Sequence, residues 1–408
     1  MENQDSSGRV LLGVTGGIAA YKAAELASLL TKQGRAVRVV MTRAAHNFIT
    51  PLTFAALTDH PVAGNMFDPE QETAIGHIEL ARWAQVVVVA PATANFIAKA
   101  AAGLADDLLT TLLLATTAPL LVAPAMNPQM YAHPAVQENL ETLRRRGVEL
   151  VGPAQGRTAC GEEGAGRMAE PAFIAEEVAR LLTPDELAGV KVLVTAGPTR
   201  EHLDPVRFIS NPSTGLMGVE VAAACRRRGA AVTMIMGPTH LEPPFGVQAI
   251  RVTSAEEMYR AVMDQYQKAD VIIKTAAVSD FRPAERAPHK IKKQGREEES
   301  LYLKGTADIL AELGRKKGER ILVGFAAETQ ELIANAAKKV REKNLDFLVA
   351  NDVGSPESGF AVATNRVHFL TPKGQVESLP LMSKRQVAER LCRRLARLVE
   401  QRRRGAEG

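Results

Sequence analysis

Cysteine and aromatic side chains are scarce in this chain. Among its 408 residues only 3 are cysteine, and aromatic residues make up 4%, with 1 tryptophan. Cys160, Cys225 and Cys392 stand far apart and never in C-x-x-C spacing, which argues against a disulfide framework and against a cysteine-built zinc site. A reducing compartment, the cytoplasm, is the expectation that follows. Long apolar runs are also missing: residues 86–90 form too short a run, and residues 112–126 are interrupted by Pro119 and Pro124, so neither reads as a membrane span. The polar stretch 1–9 lacks the apolar core of a signal peptide. Excess charge of one sign is absent as well, the formal net charge being +4, so no nucleic-acid partner is expected. The basic clusters 226–228 and 402–404 read as solvated helix ends, favourable beside C-terminal carbonyls. Finally, no GxGxxG followed by a ribose-binding acid occurs, which disfavours a dehydrogenase.

What is present, 46% hydrophobic and 24% charged residues, is ordinary for a globular chain of two or three domains. Continuous apolar runs at 10–15, 36–42, 85–90, 118–123 and 148–152 read as buried parallel strands. Helical patterns at 19–30, 95–101, 107–114 and 134–146 lie between them. A second series begins at 190: strands 191–195, 231–236, 271–275, 321–325 and 347–350 alternate with helices 217–228, 255–267, 307–315 and 328–343. Both halves therefore predict doubly wound α/β domains with ligands at the C-terminal ends of the strands. The short segment 182–189 separates them, giving expected domains 1–188 and 189–408. Segments 301–304 and 366–370 alternate and read as extra strands or an arm, residues 285–300 as a charge-rich mobile loop, and 384–404 as an amphipathic helix packing on the second domain.

Each half opens as strand, glycine-bearing turn and helix, a geometry that aims backbone N–H groups at an anion. In the first half the strand ends carry Gly16-Gly17-Ile18, Thr42-Arg43, Ala92-Thr93-Ala94-Asn95 and Met126-Asn127. Taken singly these are turn and capping residues. On successive strand ends they favour a mononucleotide such as FMN. His77, in GHIEL, lies in a loop-to-helix context rather than on an apolar stripe. Cys160 sits in residues 156–168, a stretch with four glycines that reads as a disordered connection or a mobile flap; a cysteine placed there is outside any core, which raises the odds of a chemical role.

The motifs GGIAAYK, GHIEL, APAT, PAMN and ACGEEGAGRM, in this order, resemble the flavin-containing cysteine decarboxylases. From about residue 10 to the final helix the chain resembles the bacterial bifunctional phosphopantothenoylcysteine decarboxylase/phosphopantothenate–cysteine ligase family of coenzyme A synthesis. The resemblance implies a flavodoxin-like first domain and a Rossmann-like second domain. It implies FMN as cofactor, held by Gly16, Gly17, Ile18, Thr42, Ala92 and Thr93. It further implies His77 at the oxidation and decarboxylation steps, Asn127 on the substrate carboxylate, and Cys160 as proton donor on a substrate flap that includes Ala159, Gly161, Arg167 and Met168. Glu162 departs from the family pattern, where aspartate is commoner.

In the second half the resemblance implies a ligase that activates 4'-phosphopantothenate with CTP and Mg2+ as an acyl-cytidylate, which L-cysteine then attacks. Asn211 matches the asparagine that handles the acyl-cytidylate. Ser213, Thr214, Gly215, Lys274, Thr275 and Ala276 match nucleotide contacts, Asp280 the carboxylate near metal and nucleotide, and Lys290 the first lysine of the family's KIKK loop. By analogy Ala307, Asp308, Ile309, Leu310 and Phe325 line the cytidine pocket. Lys339 and Lys343, four apart on one helix face, reach one triphosphate, and Asn351-Asp352 is placed near the substrate. Leu216 replaces a frequent lysine or arginine, and Ala307 a frequent proline. Without the family, KIKK would read as a solvated charge run. The resemblance implies a homo-oligomer, a dodecamer of flavin-domain trimers and ligase-domain dimers, with flavin at subunit interfaces. The alternatives weighed are a chain with one live activity and a non-catalytic flavin-binding subunit.

Overall fold

The computed structural model describes residues 8–64, 76–158, 160–293, 300–328, 332–352, 359 and 362–406. They form two compact units, Met1–Thr183 and Pro184–Gly408. Residues 184–188 pack with the second unit, because Leu187 is buried in its core and Glu186 pairs with Arg228 at 3.1 Å.

In the first unit five parallel strands lie in the spatial order Ala36–Met41, Arg9–Val14, Val86–Ala92, Leu120–Pro124, Glu149–Leu150. The strand Val86–Ala92 is buried along its whole length, which accounts for its unbroken apolar run. Alternate side chains serve the two faces: Val87, Val89 and Val122 pack with Phe96, Ile97, Leu109 and Leu112. Helices Ala20–Lys32 and Pro171–Leu181 pack on each other. The first strand in sequence lies between the second and third, so the order reverses there and opens a crevice at the strand ends.

The second unit is an eight-stranded sheet ordered Gln248–Arg251, Ala231–Met236, Lys191–Ala196, Val271–Lys274, Ile321–Glu328, Phe347–Asp352, Val367–Leu370, Val376–Ser378. Pairings among the first six are parallel, in the doubly wound order with its switch between Lys191–Ala196 and Val271–Lys274; the last two join antiparallel. The C-terminal helix Lys384–Ala406 packs Val387, Leu391, Leu395 and Val399 against the helix Leu216–Arg227. Arg227 and Arg228, each nearly fully buried, both reach Glu389 on that helix, at 2.8 and 2.6 Å.

Several sequence expectations are corrected. Residues 156–168 are not an irregular loop: Ala154–Arg157 and Glu163–Arg167 pair as an antiparallel hairpin, with Gly156 opposite Gly164 and both at positive φ. Glycine content hid the pairing, since strand patterns are read from side chains these positions lack. Glu328 ends a strand instead of starting a helix; that helix is Leu332–Glu342. The extra strands expected at 301–304 and 366–370 are present, Leu303–Gly305 pairing with Phe281–Pro283 and Val367–Leu370 entering the main sheet. Helices Pro51–Thr58, Pro128–Ala132 and Pro171–Leu181 were not read, each starting on a proline that suits the first helical turn. No helix among the described residues is long and apolar enough to cross a membrane.

Two candidate active sites

At the first unit's switch point Thr15 ties two strand ends together. It is buried, its hydroxyl donates to the Pro91 carbonyl at 2.8 Å and its oxygen accepts the Thr93 N–H at 3.1 Å. Thr93 in turn caps the helix Ala94–Ala102. Gly16 passes so close to the next turn that a Cβ there would lie 2.5 Å from the Ala44 Cβ. The helix Ala20–Lys32 begins after Ala19 without a side-chain cap, the Ala20 N–H donating instead to the Gly17 carbonyl at 2.9 Å and the Lys22 N–H to the Ala19 carbonyl at 3.0 Å.

Two adjoining clefts result. One, of about 590 Å³, is lined by Gly16, Gly17, Ile18, Thr93, Asn127, Cys160, Arg167 and Met168. The other, of about 670 Å³, shares Gly16 and Thr93 and adds Thr42. Of the remaining first-unit expectations, Ala92 is wholly buried and uses its carbonyl to hold the Ala125 N–H at 2.9 Å, so it does not line either cleft. Gly161 is outside the lining too, in the hairpin turn, and Ala159 lies outside the described residues. His77 stands near the start of the helix Gly76–Trp83 and is not among the residues lining either cleft.

Asn127 is the most constrained polar residue of the larger group. Its Oδ1 accepts the Gln129 N–H at 2.8 Å, capping the helix Pro128–Ala132. That bond fixes the amide orientation, so Nδ2 points outward. There it donates to Glu162 Oε2 at 2.9 Å and to Cys160 Sγ at 3.8 Å. Cys160 Sγ also accepts from the Thr158 hydroxyl at 3.9 Å. Lys22, Arg157 and Arg167 bring three cations to the same cleft. Lys22 pairs with Glu170 at 2.8 Å, an anchor unread in the sequence because the two are 148 residues apart.

In the second unit a polar cavity of about 410 Å³ opens at the strand ends. Asn211, Ser213, Thr214, Gly215, Lys274, Thr275, Ala276 and Asp280 line it, as do Leu310, Phe325, Lys339 and Lys343. Gly215 begins the helix Leu216–Arg227 at φ +81, a conformation side chains resist, and Leu216 lines the cavity beside it. Asn211 donates Nδ2 to the carbonyls of Ala277 and Val278 at 3.1 and 3.2 Å. Lys290, Ala307, Asp308 and Ile309 are not in the lining; Ile309 faces the core, whereas Asp308 caps the helix Ile309–Lys316 and pairs with Lys343 at 2.8 Å. Asn351 does line the cavity. Asn365 and Lys384, which sequence reasoning missed, come from segments beyond the parallel strands. No local signal marks them.

Electrostatics in this cavity favour a polyanion. Four lysines and one carboxylate line it. Burial, reinforced by the neighbouring Lys343, lowers the Lys274 ammonium from 10.5 to about 8. Burial pushes the Asp308 carboxyl up, but the Lys343 and Ala311 hydrogen bonds outweigh it and keep it below the ordinary range. Among the described residues no group of three or more metal-ligating side chains is found.

Comparison with known proteins places both units. The Flavoprotein family matches residues 1–183, and the DNA/pantothenate metabolism flavoprotein C-terminal domain family matches residues 187–398. The coenzyme A biosynthesis bifunctional protein CoaBC of Vibrio vulnificus (strain YJ016) is 46% identical over 393 residues, 96% of this chain and 98% of that protein. The protein of the same name from Bacillus subtilis (strain 168) is 48% identical over 396 residues, 96% and 97% of the two chains. Among solved structures, the C-terminal domain of a CoaBC protein covers 53% of this chain and 99% of its own at 40% identity and TM-score 0.46. A PPC decarboxylase complexed with pantothenoylaminoethenethiol covers 42% and 96% at 38% identity and TM-score 0.38. With both family regions present and relatives matched over nearly their full length, the chain belongs to the bifunctional coenzyme A biosynthesis proteins, a flavoprotein decarboxylase and a ligase in one polypeptide.

Proposed function

We propose that the second unit, residues 184–408, joins 4'-phosphopantothenate to L-cysteine with CTP and Mg2+, and that the first, residues 1–183, decarboxylates the product to 4'-phosphopantetheine with FMN. The observation that carries the decarboxylase assignment is Asn127. Its Nδ2 already holds a carboxylate oxygen, that of Glu162, within reach of the Cys160 thiol. A substrate carboxylate has the same chemistry, and a neutral amide orients it without strongly stabilising the charge that must leave as carbon dioxide.

The clefts fit FMN: the close Gly16 turn at the positive end of a helix and the apolar Ile18, Met130 and Met168 suit a phosphate and a ring. Gly16, Gly17, Ile18, Thr42 and Thr93 would hold it. Bound flavin supplies the two-electron oxidation of the cysteine moiety and the later return of hydride. Cys160 then gives the proton that completes reduction of the enethiol, its sulfur held by Asn127 and Thr158. Lys22, Arg157 and Arg167 draw in the phosphorylated substrate. His77 acts in the oxidation and decarboxylation; because it stands outside this chain's cleft lining, the reading takes it from a second copy, within the proposed dodecamer. A cytoplasmic location accompanies this reading.

In the second domain Lys274, Lys339 and Lys343 neutralise the triphosphate, with amides and hydroxyls of Ser213, Thr214 and Gly215 beside them. A lone carboxylate, Asp280, fits Mg2+, which binds chiefly through substrate phosphates. Asn211 and Lys290 hold the acyl-cytidylate while the cysteine amine attacks. Mass spectrometry of Cys160→Ala and Lys290→Gln enzymes tests the assignment. Cys160→Ala should release carbon dioxide yet stop at the decarboxylated enethiol with the flavin reduced, and Lys290→Gln should decarboxylate supplied phosphopantothenoylcysteine but make it only at a small residual rate. Wild-type phosphopantetheine formation by Cys160→Ala would refute the decarboxylase half.

A further inference from the structure

The hairpin Arg200–His202/Phe208–Ser210 leads directly into Asn211, and its turn closes around one carboxylate. Asp204 is fully buried. Its Oδ1 accepts the backbone N–H groups of Val206 and Arg207, each at 2.8 Å. Its Oδ2 accepts Arg207 Nε at 3.0 Å, Arg207 Nη2 at 2.6 Å and the Ile291 N–H at 3.2 Å. Burial opposes the charge, yet these donors prevail and hold the carboxyl far below its ordinary range.

The same guanidinium Nη2 also donates to the Ile291 carbonyl at 2.7 Å. Both backbone groups of the residue after Lys290 are thus held by one acid–base pair more than 80 residues earlier in the chain. Four residues upstream, the Ala287 N–H donates to the Leu203 carbonyl at 2.9 Å, a third tie to the same turn. At the hairpin's other end the Ser210 hydroxyl donates to Thr199 and the Asn211 amide to Ala277 and Val278. An aspartate serving only its own turn would need Oδ1 alone; Oδ2 is what reaches the lysine segment.

We propose that Asp204 is a positioning residue of the ligase site: through Arg207 and Ile291 it fixes the backbone beside Lys290 relative to Asn211. This rests on the reading of Lys290 and Asn211 as site residues. A lysine is a point charge on a long, freely rotating stem. Fixing its backbone removes part of the ordering cost of bringing that charge to an anionic acyl nucleotide, and it acts on turnover more than on binding of cysteine.

The test uses the full-length, FMN-loaded chain with Asp204→Asn, Arg207→Lys, Lys290→Gln and the Asp204→Asn/Lys290→Gln double variant. Ligation is followed with phosphopantothenate, cysteine and CTP, and decarboxylation of supplied phosphopantothenoylcysteine serves as an internal reference. Asp204→Asn should lower the kcat of ligation by about 10- to 100-fold, the scale of a misplaced catalytic group. The KM for cysteine should stay within about twofold, and decarboxylation should be unchanged. The double variant should be no slower than Lys290→Gln, because the two changes remove one function. Arg207→Lys keeps the charge on a half-exposed side chain but loses the fork, and it should show the same kcat loss at smaller size, which decides the question should Asp204→Asn not fold. Wild-type kcat in both Asp204→Asn and Arg207→Lys beside a Lys290→Gln reduced to its residual rate would overturn the positioning role alone. A fully active Lys290→Gln would overturn the reading of Lys290 beneath it, and multiplicative losses in the double variant would place Asp204's effect elsewhere.

Discussion

Under the proposed function, Lys274 makes nucleotide binding a proton-linked event. In the free protein burial, with Lys343 nearby, sets this lysine to about 8 rather than 10.5. A triphosphate in the cavity supplies the missing negative charge and raises it again. Above pH 8 the free lysine therefore holds fewer protons than the complex, so binding takes up a proton and weakens as pH rises. At pH 7 the lysine is already charged and uptake is small. At pH 9 it approaches one proton per nucleotide, and affinity falls about tenfold per pH unit from there, until the bound lysine itself deprotonates. Full recovery of the ordinary value would give about 300-fold in all, or ~3 kcal/mol. Isothermal titration of CTP at pH 7 to 9.5, in buffers of different ionisation enthalpy, measures the uptake directly. Triphosphate ionisation is complete in the upper part of this range and does not mask the lysine. Lys274→Met should bind more weakly at pH 7 and lose the uptake at pH 9. Equal uptake by wild type and Lys274→Met, or none by wild type, would refute the argument.

Glu389→Gln leaves Arg227 and Arg228 buried without their shared carboxylate and should destabilise the second unit by about 3–5 kcal/mol in denaturant titrations, with flavin binding unaltered. Burial raises that carboxyl, but Arg227 and then Arg228 pull it below its usual 4.5, so its contribution is present above that value and lost as pH falls; the wild-type advantage over Glu389→Gln should shrink in acid. Glu162→Asp shortens the side chain that occupies Asn127 Nδ2 at 2.9 Å, and steady-state decarboxylation should show a lower KM with kcat little changed; a raised KM would mean that Glu162 assists binding. Thr15→Val orphans the Thr93 N–H and leaves the Pro91 carbonyl only the backbone N–H of residue 15, at 3.4 Å, costing about 1–3 kcal/mol. Because Thr93 lines both clefts, flavin fluorescence titration should then show an affinity loss of about tenfold or more.

The parallel α/β character of both units was legible in the letters. Strands such as Val86–Ala92 are buried on both faces and must be apolar throughout, and the helices between them supply the crossovers that parallel pairing requires. The glycine turns after the first strand of each half were legible too, since a close backbone approach such as that of Gly16 to Ala44 leaves no room for a side chain.

Only the folded chain decided which distant segments meet. The hairpin at residues 154–167 is built from glycines without a side-chain pattern, so it read as a loop. Asn365 and Lys384 join the lining of the second unit's cavity from beyond the parallel strands, and His77 is not among the residues lining the cleft that Asn127 and Cys160 share. Residues 285–291 read as charge-rich and mobile, yet Ile291 is fixed by Asp204 and Arg207. Local sequence records burial periodicity and turn preference because neighbours along the chain set both. It carries no record of a hydrogen bond between residues more than 80 positions apart, which exists only once the sheet has brought their turns together.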